Sequence, residues 1–552
     1  MHNPQYLSHD LPESTFALIV GGGPVGIATA LSLARYGYEC VVVERHAERL
    51  GQPKAHVLNP RTLEIFHQYG IDLDPLRKLG VPPNEADVVR FVASMTGIEF
   101  GKIGRQTDED TASVSPEPTF NVAQPHLEDH LLATALATGK ITYLRMHEWM
   151  GCSEEPDRAI TSQIQCRKTN VIKTIQSKYL VGCDGAKARS RDGLQINFQP
   201  LNGPGTEQVL HYASVHFQAD LSHMKTGLLW FILKPEGMRV FIAYNRKNSW
   251  VYFTRYDPTK TPKTTFTSKY FEALVFEAIG KPLPDYQELG ITLWTTSPKL
   301  ADTYRSSKIR NAFLAGDAAH SFPPTGGLGV NTGIEDVQNL TWKIHAVQQG
   351  WATESFLETV TTERLPIAKD NCQQSKLNED KIFRLITAIL VPGKTAEEVI
   401  ADPASRKAIQ DEIDKNRDHF HSLNLQVGYV YGRPHIRGPA DYQRELVSGA
   451  RLPHVWLERN GQKISSLDLV SGFDFVLITP SQFTQRKQLD CDGVPVSVQQ
   501  LNQHFLDIDG EWQEFIGQDH AAVLVRPDQH IVGTISSMED VGKMLANYLR
   551  AR

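Results

Sequence analysis

Phe16–Glu44 reads FALIVGGGPVGIATALSLARYGYECVVVE, and its parts ask for different backbones. Phe16–Val20 is an apolar, β-prone run. Ile27–Tyr36 carries apolar residues at helical spacing and stops at Gly37, and Cys40–Val43 is a second strand ending on the acid Glu44. Between strand and helix stands GGGPVG, in which Gly21, Gly23 and Gly26 satisfy GxGxxG. Gly21 allows a tight turn, Gly23 lets a pyrophosphate approach the backbone, and Gly26 lets the helix pack closely on the strand. Glu44 lies 18 residues beyond Gly26, where a carboxylate accepts hydrogen bonds from ribose hydroxyls. The glycines alone are a weak signal, but the order strand, turn, helix, strand, acid makes a dinucleotide cradle. Arg45 either adds a contact on the adenosine side or is a solvated surface charge.

Nearly 300 residues later comes Gly316–Gly333, GDAAHSFPPTGGLGVNTG. It follows a short apolar strand, Ala312–Ala315, and leads into a helical pattern, Ile334–Val347. A carboxylate at a strand end, Asp317, suits a ribitol or ribose hydroxyl. A glycine-rich loop opening a helix aims backbone N–H groups at one place, which suits negative charge.

The segments around these two stretches set the architecture. Lys54–Gly70 contains a turn or helix start at Asn59-Pro60 and a helix, Arg61–Tyr69; residues 87 to 103 alternate like a hairpin, and Gln124–Thr138 is helical. Polar strands at about 141 to 178 lead into YLVGCDGAKARSR, where Asp184-Gly185 follows a strand. The basic trio Lys187, Arg189 and Arg191 is either ligand-facing or a solvated face. From Val209 the period becomes two: Leu228–Leu233, Met238–Tyr244 and Trp250–Tyr256 form an antiparallel meander, followed by a helix, Ser268–Ile279, and a strand, Gly290–Trp294. Trp230, Phe241, Tyr244, Trp250 and Tyr252 either line an aromatic pocket or fill the sheet core. Beyond residue 435 the strands DFVLITP and AAVLVRPD and a final helix, Asp540–Arg550, read as a separate α/β module with no evident chemistry.

The expected fold is α/β. A Rossmann-like nucleotide-binding domain (1–80, 115–200 and 301–435, with trailing helices) is interrupted by an antiparallel β-sheet substrate domain (81–114 and 201–300) and followed by the module at 436–552. With 552 residues, 41% hydrophobic and 22% charged, the chain has room for several cores. A net charge of −6 gives no electrostatic case for nucleic acid. The six cysteines show no CxxC and no metal-ligand spacing, so free thiols, no metal and a reducing compartment are expected. The first residues resemble no secretory signal and no apolar run reaches a membrane span, so a cytoplasmic location is expected.

Three motifs standing in one chain, GxGxxG at Gly21–Gly26, CDG at Cys183–Gly185 and GDAAH…PP…G…N at Gly316–Asn331, closely resemble the class A flavoprotein monooxygenases, the group of para-hydroxybenzoate and phenol hydroxylases. The last module resembles the thioredoxin-like domain appended to the phenol hydroxylase type, here without CxxC. The resemblance implies FAD as cofactor, NADPH or NADH as reductant and O2 as co-substrate. It implies that one oxygen atom passes through a flavin hydroperoxide to a phenolic or polyketide-like small molecule. It places Gly21, Gly23, Gly26 and Glu44 on the FAD adenosine and pyrophosphate, with Arg45 beside them. Gln124 would touch the FAD, Asp184, Gly185 and Arg191 would serve both FAD and NAD(P)H, and Asp317 would take the ribitol. Pro324, Gly327, Gly329, Val330 and Asn331 would surround the isoalloxazine.

The chain departs from the pattern in three places. Lys54-Ala55 stands where many relatives have Arg-Ala, and His56 stands where the phenol hydroxylase type has an aspartate near the phenol. His56 is therefore either a catalytic proton acceptor, or a histidine in a structural hydrogen bond or on the surface. Arg239-Val240-Phe241 loosely matches an Arg-x-Tyr with the hydroxyl lost. A Baeyer–Villiger monooxygenase or an epoxidase on the same fold stays open, as do a non-catalytic dinucleotide-binding protein and a homodimeric state. The C-terminal module is expected to matter for solubility or assembly more than for the flavin.

Overall fold

A computed structural model describes residues 10–48, 57–106, 111–234, 237–434, 437–481, 486–516 and 522–550. At its centre lies the strand Ser14–Val20, paired in parallel with Cys40–Glu44 on one side and Ile172–Gly182 on the other. Ile141–Arg145 extends the sheet in parallel beyond Cys40–Glu44. The strand Ile172–Gly182 divides its far edge: its first half pairs antiparallel with Ile160–Cys166, and its end pairs in parallel with Ala312–Leu314. A strand covered on both faces must be apolar throughout, and Ala17, Leu18 and Ile19 are fully buried. The sheet thus sets the end of Ala312–Leu314, where the second glycine-rich stretch begins, two strands from the end of Ser14–Val20, where the first begins.

The first helix, Pro24–Arg35, opens on a proline, whose missing N–H costs nothing there, and ends before Gly37 at φ +89°. The central helix, Gly329–Gln348, begins five residues before the apolar periodicity does. Its small, polar first turn would not persist as a helix by propensity alone. Asn331 holds it, as described below.

The second sheet has seven strands in the order Gln287–Thr296, Leu210–Gln218, Ser249–Tyr256, Gly237–Asn245, Leu229–Lys234, Val88–Val92, Glu99–Gly104. The hairpin of residues 88 to 104 joins it through a parallel pairing with Leu229–Lys234. Alternation along each strand sorts the aromatic side chains by face. Trp230, Phe241, Trp250 and Tyr252 fill the core under the helix Ser268–Ile279. Tyr244 lies on the opposite face with Phe231, Val240, Ile242 and Val251, against the long helix Thr359–Ile389 and the helix Pro403–Asp414. Four of the five aromatics expected in a pocket or a core are therefore core under that helix.

The C-terminal module is a five-stranded sheet in the order Gln488–Cys491, Val494–Gln500, Phe475–Thr479, Ala522–Val525, Ile531–Ile535. Phe475–Thr479 is parallel to Val494–Gln500 and antiparallel to Ala522–Val525. One face buries Phe475, Leu477 and Val496 with Leu545 and Leu549 of the final helix, Glu539–Arg550, and also with Trp342 and Phe356 of the main body. The module shares this core with the body. Among the described residues no helix is long and apolar enough to cross a membrane.

Candidate cofactor and active site

The two glycine-rich stretches meet in space. Val25, inside the first motif, sits in a notch made by two glycines of the second. A Cβ on Gly316 would lie 2.9 Å from a Val25 methyl, and one on Gly333 would lie 2.6 Å from the same methyl. The hydroxyls of Ser32 and Thr341, 2.7 Å apart, tie the first helix to the central helix.

The glycines of the first motif have distinct duties. Gly21, at φ +106°, would place a Cβ 2.5 Å from the Cys183 carbonyl oxygen, and Gly26 would place one 2.0 Å from the Gly21 carbonyl oxygen. A Cβ on Gly22 would lie 2.2 Å from the Tyr143 hydroxyl. Of this motif's glycines only Gly23 looks into open space, where a Cβ would meet no described atom within 4 Å. The helix that starts after it has no side-chain cap and no acid in its first turn. Unsatisfied N–H groups beside an open backbone are what a pyrophosphate needs. Glu44 ends its strand facing this turn, its carboxylate accepting from Gly22 N at 2.9 Å and His46 N at 2.8 Å. The Arg45 side chain turns to His46.

At the second stretch, Asp317 is exposed, and a Cβ on Gly329 would lie 3.8 Å from its Oδ1. The carboxylate therefore stands beside the first turn of the central helix, which also lacks a side-chain cap and an acid. Pro324 is exposed, and Gly327 takes φ +63°, a left-handed conformation that glycine tolerates best.

Several other residues singled out in the sequence are engaged with protein partners. Asn331 is buried and its amide is fully engaged: Oδ1 accepts from Asn59 N and Thr62 Oγ1, while Nδ2 donates to the carbonyls of Val57 and Gly327. Asp184 accepts from the backbone N–H and hydroxyl of Ser190, and burial raises its pKa despite these bonds. Arg191 is buried over the Phe198 ring and clasps the carbonyls of Ala318 and Ala186, each at 3.1 Å. The basic trio thus does not act as one face. A Cβ on Gly185, at φ +82°, would meet no described atom within 4 Å. Gln124 opens its helix and donates to Glu128. His56 and Lys54-Ala55 lie outside the described residues.

Two clusters carry no signature in the sequence. Behind the second stretch, Asp336 Oδ2 accepts from Gly316 N at 3.1 Å and His320 Nε2 at 2.8 Å, and Oδ1 accepts from Arg364 Nε at 2.8 Å. Burial opposes this carboxylate, but His320 and Arg364 outweigh it and lower its pKa. Glu335, Gln338, Asn339 and Lys343 in the same helix are equally polar, so no local pattern singles Asp336 out.

The second cluster is a seam of buried charge under the helix Pro60–Gln68. Arg61 donates to Glu64 at 2.9 Å, to Gln338 Oε1 at 2.7 Å, and to Gln529 Oε1 and the Asp528 carbonyl of the C-terminal module at 2.7 and 2.8 Å. Glu64 accepts from Arg451 Nε at 2.9 Å and Nη2 at 2.6 Å. Farther along, Arg526 pairs with Glu363 of the long helix and with Asp528, which accepts from Trp342 Nε1. The module expected to lack chemistry therefore completes a buried ionic network in the body.

On the face of the second sheet that carries Tyr244, the Tyr212 ring stacks on Trp294 with centroids 4.2 Å apart, and Phe253 packs against both. Thr296, in the strand of Trp294, donates to the Phe322 carbonyl of the glycine-rich loop at 2.6 Å. An aromatic surface and the loop therefore adjoin.

Known proteins share this fold. The FAD binding domain family matches residues 14–375, and the family described as aromatic-ring hydroxylase, C-terminal, matches residues 445–551. The chain belongs to the FAD-dependent aromatic-ring hydroxylases. This hydroxylase is 29% identical to 2,4-dichlorophenol 6-monooxygenase of Cupriavidus pinatubonensis, over 96% of the chain and 94% of that protein. It is 26% identical to tetracenomycin B2 monooxygenase-dioxygenase of Streptomyces olivaceus, over 97% and 98%. Among solved structures, the flavin-dependent monooxygenase PieE, in complex with FAD and substrate, superposes with a TM-score of 0.89 at 27% identity, covering 97% of this chain and 99% of that one.

Proposed function

We propose that the hydroxylase uses FAD, NAD(P)H and O2 to insert one oxygen atom into a phenolic or polyketide-like ring bound between the glycine-rich loop and the aromatic face of the second sheet. The observation that carries this reading is the convergence of three parts: the open Gly23 turn, the uncapped start of the central helix beside Asp317, and the Tyr212–Trp294–Phe253 surface next to the loop. FAD, once bound, supplies the redox and oxygen-transfer chemistry. The chain's own residues position and shield. Gly23 and the N–H groups of the first helix take the pyrophosphate, Glu44 the ribose and Asp317 the ribitol. The N–H groups at Gly329 and Val330 stabilise negative charge on the ring system. Asn331, Arg191 and Asp336 hold these groups in place through their protein partners. The apolar sheet face excludes water from the reacting atoms.

An extended aromatic wall with Phe241 turned away into the core supports a substrate larger than phenol. The C-terminal sheet, with its central strand parallel to one neighbour and antiparallel to the other, supports a thioredoxin-like reading of the module. The test is to saturate the purified chain with FAD and to follow NADPH and NADH oxidation over a panel of phenols, naphthols, hydroxyanthraquinones and matched cyclic ketones, with mass spectrometry of the products. Stimulated oxidation with a hydroxylated ring as product is the expected result. A lactone from the ketone, or a protein that takes up no FAD, would refute it.

A further inference from the structure

The geometry points to Glu379 as the group that recognises the substrate's phenolic hydroxyl and accepts its proton, with Tyr212 and Arg255 fixing the carboxylate. This assignment rests on the hydroxylase reading above and adds to it a residue that no motif marks.

Glu379 lies on the long helix, on the stripe formed with Ser375, Asn378 and Ile382. One end of the stripe grips the glycine-rich loop: Ser375 Oγ lies 2.7 Å from the Pro323 carbonyl oxygen and 2.9 Å from that of Thr325. The Asn378 amide lies 3.1 Å from where a Cβ on Gly326 would be. The other end, Ile382, packs into the face of the second sheet. Glu379 is therefore held between the loop and the sheet, in the region the hydroxylase reading gives to the substrate.

The contacts of the carboxylate are asymmetric. Oε1 accepts from the Tyr212 hydroxyl at 3.1 Å, and Arg255 Nη1 stands 3.7 Å away, an ion pair without a hydrogen bond. Oε2 is buried and has no hydrogen-bond partner among the described residues, with Lys376 Nζ at 4.0 Å. The side chain is only 1% exposed. A buried carboxylate oxygen left without a donor is costly, and nothing in the packing of a helix on a sheet requires it. A phenolic O–H would satisfy it. Tyr212, stacked on Trp294, ties the carboxylate to the aromatic surface beside the loop.

Burial raises the pKa of Glu379 above the ordinary carboxylate range, and Arg255, Tyr212 and Lys376 oppose this while Asp380 adds to it. A raised pKa makes a better base for a phenol. In the step, the phenolic O–H bond breaks, its proton joins Oε2, and its electron pair stays on the ring oxygen, enriching the ring carbon that takes up the oxygen atom. The proton returns to the same oxygen when the hydroxylated carbon releases its own proton to solvent and the ring becomes aromatic again.

The test uses FAD-saturated protein and three ligand pairs: phenol, 1-naphthol and 1-hydroxyanthraquinone, each against its methyl ether. Binding is read from the perturbed flavin absorbance. Wild type should bind the hydroxyl form of at least one pair about tenfold more tightly than the ether, as for a hydrogen bond to a charged group. E379Q should bring that ratio close to one, and Y212F should leave it intermediate. A merely structural role would weaken both members of a pair equally. The acid limb of kcat/KM should lie above the ordinary carboxylate range in wild type and vanish in E379Q. A ratio that survives in E379Q, or no discrimination by wild type, would overturn the assignment of Glu379 alone. A chain that takes up no FAD would overturn the hydroxylase reading with it.

Discussion

Replacing Glu64 with Gln should destabilise the protein by about 3 to 5 kcal/mol, the range for breaking a buried ion pair by removing one partner. Glu64 is the carboxylate that both Arg61 and Arg451 face, and each of the three side chains is at most 1% exposed. The Gln amide would leave two buried guanidinium groups without their counter-charge. Proton linkage gives an independent figure. Burial works against the carboxylate, but Arg451 and Arg61 outweigh it and lower its pKa from an ordinary 4.5 to about 2. At about 1.4 kcal/mol for each pH unit, that difference is worth about 3 kcal/mol. The folded-state pKa is depressed, so this contribution is complete above about pH 4.5 and is lost as pH falls toward 2.

The assay is urea unfolding of wild type and E64Q at pH 7, repeated at steps down to pH 3. The stability gap should be widest at neutral pH and should narrow through the acid range. Protease cleavage between body and C-terminal module should appear earlier in E64Q, since Arg451 would lose its main partner across the seam. An E64Q unfolding free energy within about 0.5 kcal/mol of wild type, or a gap that does not change with pH, would refute the reasoning.

Asp317→Ala should weaken FAD binding about 10- to 100-fold, the worth of one or two hydrogen bonds to a carboxylate, measured by titrating apoprotein with FAD. Gly26→Ala should cost about 3 kcal/mol in unfolding experiments, because its Cβ would press on a backbone oxygen that cannot move aside. Gly23→Ala, by contrast, should leave stability within about 1 kcal/mol of wild type and reduce FAD affinity, since its Cβ meets only open space. Removing residues 436 to 552 should yield a chain that neither stays dispersed nor holds FAD, judged by sedimentation and absorbance. Retained flavin with an unaltered spectrum would show that the seam does not support the cradle.

The strand, turn, helix and acid of Phe16–Glu44 were legible because each is set by local rules: apolar runs for buried parallel strands, and glycine where the backbone must turn or lie bare. The same holds for the meander and for the loop after Leu314. The face on which each meander aromatic lies was not legible, since a strand's period of two fixes which residues share a face but not which face meets which helix. Packing of the helix Ser268–Ile279 on one side and the long helix on the other decided it.

From the sequence alone came the fold class and a dinucleotide cradle, because GxGxxG and the GDAAH loop specify backbone shape and donor groups within a few residues of chain; the cofactor and the class of reaction came from the family that the three motifs together resemble. Only tertiary structure showed Asp336 under Gly316, Arg61 and Glu64 against Arg451 and Gln529, and Glu379 against Tyr212. The partners in these last two contacts lie 167 to 468 residues apart. A charged side chain in a sequence reads as a solvated face until folding places its counter-charge beside it. Desolvation then makes the pairing obligatory, and no local pattern encodes that partner.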